Sequence, residues 1–254
     1  MISNPTILKY PEQELLWEGR KVLGELLGQL FDESIEYEEI DREIAIKSKQ
    51  ERRKISILYD MFRHTSIFWR LIYSESVIET ISSLSKLNSC DFVPSNHCVF
   101  RMDIPGEDKY VFGWHQDYPY NMLGFNALTL WLPLNEISID MGPVVFYQKA
   151  VEEILPVSFT NKFNGNPNAF VDSTTAQKLE SNKTCFPLKF GDCVVFDALT
   201  PHRSGVNLSD KARLTIQGRY TSIKDCFLKN QGFSHRVLPN FDLFCKLHDD
   251  KIVR

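Results

Sequence analysis

The chain has 254 residues, 43% of them hydrophobic and 24% charged, with a formal net charge of −4. That length can bury a sizeable core, and the balance is that of an ordinary globular protein. The acidic excess argues against a nucleic-acid binder, and no apolar run approaches the roughly 18 residues a membrane span needs.

The N-terminal stretch MISNPTILKYPEQELLWEGR lacks a basic region followed by an apolar core, so no secretory leader is expected. Six cysteines are present, none in a CxxC pair. In a chain of this size that pattern reads as free thiols in a reducing, cytoplasmic setting.

Residues 1–90 read as mainly helical. In EQELLWEGRKVLGELLGQLF, Leu15, Leu16, Val22, Leu23, Leu26, Leu27 and Leu30 gather on one helical face. A second helical segment runs from Asp41 to Glu75, and its basic run from Lys47 to Lys54 reads as a solvated face. In SESVIETISSLSKL, Ser74 is a plausible cap, and Val77, Ile78, Ile81 and Leu84 suit a third helix.

After Asn88 the texture changes. HCVFRMDIP, KYVFGWHQD, NALTLWLPLN, GPVVFYQKA, CFPLKFGDCVVFDAL and ARLTIQGRYTSI are short, rich in β-branched and aromatic residues, and punctuated by Gly, Pro, Asn and Asp. These are strand signals at the spacing of a sandwich or small barrel. The expectation is a single α+β domain over 1–254: a helical portion (1–90), a β-rich core (91–225) and a C-terminal extension (226–254). The segment from Ser158 to Lys183 is polar and rich in Asn, Ser and Thr, and it reads as a long loop, either a lid or a surface insertion.

Among the six histidines, His64 reads as a surface or core residue, His97 opens a strand, and His235 and His248 fall in a polar tail. His115 and Asp117 stand two apart in FGWHQDYPYN, so on a strand they share a face. His202 ends an apolar strand in FGDCVVFDALTPHRSGVN. Two imidazoles and a carboxylate form the facial triad of non-haem Fe(II) oxygenases, although zinc hydrolases use the same donors. Arg213 follows His202 by 11 residues, which suggests a hairpin turning at Asn207 to Asp210. Its planar guanidinium could anchor the far carboxylate of a small dicarboxylate chelating the metal.

WHQD (Trp114–Asp117), LTLWLPLNE (Leu128–Glu136), MGPVVFY (Met141–Tyr147), FGDCVVFDALTPHRSGVN (Phe190–Asn207) and Arg213 together resemble the phytanoyl-CoA dioxygenase family of Fe(II)/2-oxoglutarate-dependent oxygenases. The resemblance spans Asn96 to Ile223. It implies a double-stranded β-helix (jelly-roll, cupin-like) core braced by the N-terminal helices. It also implies His115, Asp117 and His202 as iron ligands, and Arg213 as the partner of the distal carboxylate of 2-oxoglutarate, with Ser204 beside it. Trp131 and Phe112 would wall the co-substrate, and O₂ would be the oxidant. The implied reaction is hydroxylation of a C–H bond in a small-molecule substrate, with release of succinate and CO₂.

One stretch departs from the family pattern: MGPVVFYQKAVEE carries Gln148-Lys149-Ala150 where relatives have a Pro-Gly-Ser-His stretch. No ligand falls there, but the stretch is a candidate for shaping the substrate pocket, so no relative's substrate carries over. The carboxylate at Asp117 separates the chain from related halogenases, which have a small residue at that position. Alternatives on the same donors are a zinc hydrolase or isomerase, and a non-catalytic binding module. Substrate identity and oligomeric state are not written in the sequence.

Overall fold

The computed structural model describes residues 4–85, 88, 91–94, 97–121, 123–163, 166–224 and 241–253. In chain order the elements are β1 (Thr6–Lys9), α1 (Gln13–Phe31), α2 (Ile40–Gln50), α3 (Arg52–Arg63), α4 (Ser66–Tyr73), α5 (Glu75–Ser85), β2 (Phe92–Pro94), β3 (Val99–Asp103), α6 (Tyr118–Asn121), β4 (Leu128–Pro133), β5 (Val145–Tyr147), β6 (Val157–Phe163), β7 (Asn166–Val171), α7 (Ser173–Glu180), β8 (Lys183–Cys185), β9 (Asp192–Asp197), β10 (His202–Arg203), β11 (Arg213–Ser222) and α8 (Phe241–Leu247).

The leucine stripe of α1 is buried as its spacing predicts, with Leu15, Leu16, Leu23 and Leu27 at 4% exposure or less. The segment expected as one helix from Asp41 to Glu75 is three. Extended backbone at Glu51 ends α2, and Thr65 caps α4 by accepting a hydrogen bond from the Phe68 amide at 3.3 Å. The basic run is not wholly solvated. Lys47 is buried against the Phe31 ring and pairs with Glu33 at 2.6 Å, and Arg52 forms a two-pronged pair with Glu107.

A major sheet has strand order β1-β9-β4-β11-β2, with β3 also pairing with β11. A minor sheet runs β10-β5-β8, and β6 and β7 form a separate hairpin. Among the described residues these strands pair with one another antiparallel throughout, and a single parallel bridge ties Val157 of β6 to Ile252. This is the mixed helix-and-sheet, jelly-roll-type body expected from the sequence. β1 was not anticipated: TILK is a four-residue edge strand on β9 in a region read as helical.

Strand alternation divides the major sheet into two faces. Phe100, Leu128, Leu130, Leu132, Val195, Leu214 and Ile216 face the helices and share one apolar core with Leu16, Leu23, Phe62, Leu71 and Ile72. Each such side chain gains roughly 1.5–3 kcal/mol by leaving water. On the opposite face Trp131, Val194 and Phe196 meet Val144 and Phe146 between the two sheets.

The segment 158–183 is not a structureless loop. It is most of the β6–β7 hairpin followed by α7, whose cap Asp172 accepts from the Thr174 and Thr175 amides. Buried Val157 and Ala169 pack with Tyr118, Leu199, Phe241 and Phe244, so the hairpin and α8 close one end of the body. The Asn- and Thr-rich composition hid two strands whose apolar residues are few. Cys98, Cys185 and Cys193 are free thiols. Cys90, Cys226 and His235 lie outside the described residues.

Candidate active site

His115 and His202 are brought together by backbone. Each donates its amide to the other's carbonyl at 2.9 Å, bridging the segment before α6 to β10, and the imidazole centroids lie 4.1 Å apart. His115 therefore sits on an isolated bridge rather than within a regular strand. Asp117 follows at the start of α6, where its carbonyl accepts from the Tyr120 and Asn121 amides.

Gln116 is more than a spacer. Its amide nitrogen donates to Glu153 O and Leu199 O at 2.9 and 2.7 Å, and its oxygen accepts from the Leu155 amide at 2.9 Å. This buried side chain ties three segments together just behind the donors.

One nitrogen or oxygen from each of His115, Asp117 and His202 lies within 4.8 Å of the others. All three side chains are buried. His115 Nδ1 lies 2.8 Å from Gly113 O, and His202 Nδ1 lies 2.9 Å from Thr200 O. A carbonyl can only accept, so both rings carry their proton on Nδ1 and present Nε2 as a lone pair. Burial, with His202 beside it, pushes the His115 pKa down to about 3, and burial lowers His202 as well. Asp117 is held well below the usual carboxylate range by Arg219 and the two histidines, against the opposing effect of burial. The set is two neutral imidazoles and a carboxylate, all in the protonation states that bind a divalent metal.

Two side chains missed in the sequence fix Asp117. Thr129 Oγ1 donates to Oδ2 at 2.6 Å, and Arg219 Nη2 donates to Oδ1 at 3.3 Å. They are cross-strand neighbours on β4 and β11, so one oxygen is gripped from each strand. The signal was present in RLTIQGRYTS. Arg213, Thr215, Gln217 and Arg219 alternate with Leu214, Ile216 and Tyr220, which places the polar set on the face opposite the helices.

Arg213 begins β11 and is 2% exposed. Its guanidinium pairs with Asp103 at 3.1 Å and donates to Met141 O and Gly205 O at 3.2 and 3.4 Å. Asp103 also pairs with Arg101 at 2.6 Å, so two guanidiniums share one carboxylate.

The connection from His202 to Arg213 is not a hairpin, in contrast to the sequence reading. β10 pairs with β5 in the minor sheet, β11 pairs with β3 and β4 in the major one, and the intervening chain crosses between sheets. Asn207 pins that crossing through Asp103 O and Lys211 O, both at 2.8 Å. Gly142 and Gly205 allow it to pass under Arg213. A Cβ on Gly142, which has φ 66°, would meet Val206 O at 2.2 Å, and one on Gly205 would meet Pro143 O at 2.5 Å.

His115, Asp117, His202, Arg213, Ser204, Trp131 and Phe112 all line one cavity of about 670 Å³. That volume is within the range of small-molecule sites. Phe112 lies between His115, Tyr120 and Phe170, beneath the Arg101 guanidinium at 5.5 Å. The Ser204 amide donates to Phe112 O at 3.0 Å. His97 lines the same cavity, whereas His64 is exposed and His248 hydrogen-bonds Tyr118 at 3.1 Å away from the donor set. Among the described residues no helix is long and apolar enough to cross a membrane.

Comparison with known proteins agrees with this architecture. EctD from S. alaskensis with 2-oxoglutarate and 5-hydroxyectoine superposes with a TM-score of 0.57 at 14% identity, over 87% of this chain and 73% of that one. EvdO2 from Micromonospora carbonacea var. aurantiaca, complexed with 2-oxoglutarate, gives 0.48 at 18% identity over 66% of this chain. The epimerase SnoN, in complex with Fe3+, alpha ketoglutarate and nogalamycin RO, gives 0.48 at 19% identity over 62% of this chain. The chain spans 64% of EvdO2 and 59% of SnoN. At 14% identity the likeness to EctD is one of fold. No curated protein sequence gives a significant match. The profile of the phytanoyl-CoA dioxygenase (PhyH) family matches residues 24–215, and the chain belongs to that family of iron- and 2-oxoglutarate-dependent oxygenases.

Proposed function

We propose that this oxygenase hydroxylates a C–H bond of a small-molecule metabolite and converts 2-oxoglutarate to succinate and CO₂. The observation that carries the reading is the donor set: two neutral imidazoles presenting Nε2 and one buried carboxylate, within 4.8 Å of one another on the wall of the cavity. Three protein donors on one face leave coordination positions for other ligands, as in the facial triad. His115, Asp117 and His202 would hold Fe(II), which when bound would supply the sites where 2-oxoglutarate and O₂ meet and the activation of O₂, the oxidant, that the protein's own side chains lack.

The chain's own residues bind and orient. Gly113 O and Thr200 O fix the two tautomers, and Thr129 and Arg219 fix the carboxylate. Arg101 and Arg213 share the single charge of Asp103, which leaves one cation to be matched. The distal carboxylate of 2-oxoglutarate is that match, with Arg213 as its partner and Ser204 beside it. Trp131 and Phe112 wall the co-substrate and exclude water from the chelate. The N-terminal helices belong to the same catalytic domain on this reading, because α1, α3 and α4 share one apolar core with β3, β4, β9 and β11.

The test is release of succinate and CO₂ with Fe(II), 2-oxoglutarate and O₂, compared between the parent and Arg213→Ala, with oxygenated product identified by mass spectrometry. Turnover that persists without O₂ on zinc would contradict the reading in favour of a hydrolase or isomerase. Undiminished 2-oxoglutarate consumption by Arg213→Ala would remove Arg213 from its role. A product isomeric with the substrate would make the outcome epimerisation rather than hydroxylation.

A further inference from the structure

The protein is acidic overall, yet the cavity wall is rich in arginine. Six guanidiniums line it, those of Arg52, Arg63, Arg101, Arg203, Arg213 and Arg219. Five have carboxylate partners: Arg52 with Glu107, Arg203 with Glu180, Arg101 and Arg213 with Asp103, and Arg219 with Asp117.

Arg63 has none among the described residues. Its Nη2 donates to Cys98 O at 3.3 Å and its guanidinium lies 5.8 Å from the Tyr59 ring centroid, while Nε is shielded from water with no acceptor. Asp60, one turn earlier on α3, also lines the cavity but is solvent-exposed and makes no ion pair with Arg63.

Arg63 lines the same cavity as the donor set. It holds Cys98 O while Arg219 donates to the neighbouring carbonyl of His97 and to Asp117. A molecule that fills the cavity between the donor set and α3 therefore meets a guanidinium with no carboxylate partner among the described residues.

We propose that the substrate of this oxygenase is an organic anion, carrying a carboxylate or phosphate group that docks on Arg63. The proposal rests on the iron and 2-oxoglutarate reading, with one addition: Arg213 takes the co-substrate and Arg63 takes the substrate. A guanidinium binds either oxyanion through two parallel N–H donors, so both chemistries fit the same edge.

The experiment measures binding by calorimetry to the full chain loaded anaerobically with Fe(II) and 2-oxoglutarate. The probes are hexanoate beside hexanamide and glucose 6-phosphate beside glucose, which separates the two oxyanions from each other and from their neutral twins. At least one anion should bind about tenfold or more tightly than its twin, an advantage of ~1.4 kcal/mol. Arg63→Gln should lose that advantage and Arg63→Lys should retain part of it. Both variants should keep the visible charge-transfer absorption of the Fe(II)–2-oxoglutarate chelate, which reports an intact fold and co-substrate site.

Equal binding of anions and neutral twins, or an unchanged preference in Arg63→Gln, would overturn the proposal. Loss of the chelate absorption in both variants would place Arg63 at the co-substrate and overturn it equally. A parent that binds the anions but forms no chelate absorption would contradict the oxygenase reading and leave the anion site standing.

Discussion

On β11, Leu214, Ile216 and Tyr220 turn toward the helices and are fully buried among apolar side chains, whereas Arg213, Gln217 and Arg219 turn toward the cavity. β4 divides in the same way: Leu128, Leu130 and Leu132 pack on one side, and Thr129 and Trp131 face the other. The same two strands thus hold the helical layer in place and carry the cations and hydroxyls of the site. The two jobs differ in their tolerance. The apolar face needs volume and is sensitive to cavities. The polar face needs particular atoms at particular distances, and its charges are sustained by partners rather than by water.

The largest effect should come from removing a donor on the polar side. His202→Ala should abolish Fe(II) binding and reduce 2-oxoglutarate turnover to background, while circular dichroism shows the fold retained. Full activity in that variant would break the contrast at its strongest point. On the apolar side, Leu214→Ala should cost about 2–5 kcal/mol in urea unfolding, with Fe(II) affinity of the folded molecules unchanged. A loss of metal affinity as large as the loss of stability would show that the faces are not separable.

Thr129→Val sharpens the comparison, because it keeps the shape and deletes one hydroxyl. With Asp117 held only by Arg219, Fe(II) affinity should fall about 10–100-fold, with little change in the unfolding midpoint.

The smallest effect is a slope. His115, lowered to about 3, and His202, also lowered, stay neutral in the folded protein at pH values where a free imidazole, with a pKa of about 6.5, takes up a proton. The unfolded chain then binds more protons, so the metal-free protein should be most stable above about pH 6.5 and lose up to ~1.4 kcal/mol per pH unit per histidine below it. His202→Ala should show the shallower dependence. Equal slopes in parent and variant would mean that the two rings are not held neutral by the fold.

Much of this was legible in the sequence where local chemistry and spacing coincide. The α1 leucine stripe and the HxD pair were visible because each depends on near neighbours in the chain, whereas His202, expected at the end of the apolar strand, lies beyond the end of β9 at Asp197 and opens β10 in the minor sheet. What was hidden depends on pairing. Thr129 and Arg219 converge on Asp117 only because β4 and β11 are adjacent in register. The 202–213 connection looked like a hairpin because its turn residues are those of one, yet its two strands belong to different sheets. The β6–β7 hairpin was masked by polar composition, since buried Val157, Ala169 and Val171 stand among Ser, Thr and Asn. Arg63 carried no local mark either: it sits at the end of α3, and its exception is defined only by the partners that the other five arginines have.

The central claim is that His115, Asp117 and His202 hold an iron that 2-oxoglutarate chelates with its tail on Arg213. An anaerobic titration of the protein with Fe(II) and then 2-oxoglutarate, followed by visible charge-transfer absorption, tests it most directly. The account predicts a saturable band in the parent and in Leu214→Ala, its loss in His202→Ala, and weaker 2-oxoglutarate saturation in Arg213→Ala. A parent protein that binds Fe(II) but develops no band with 2-oxoglutarate, or a band that survives in His202→Ala, would contradict it.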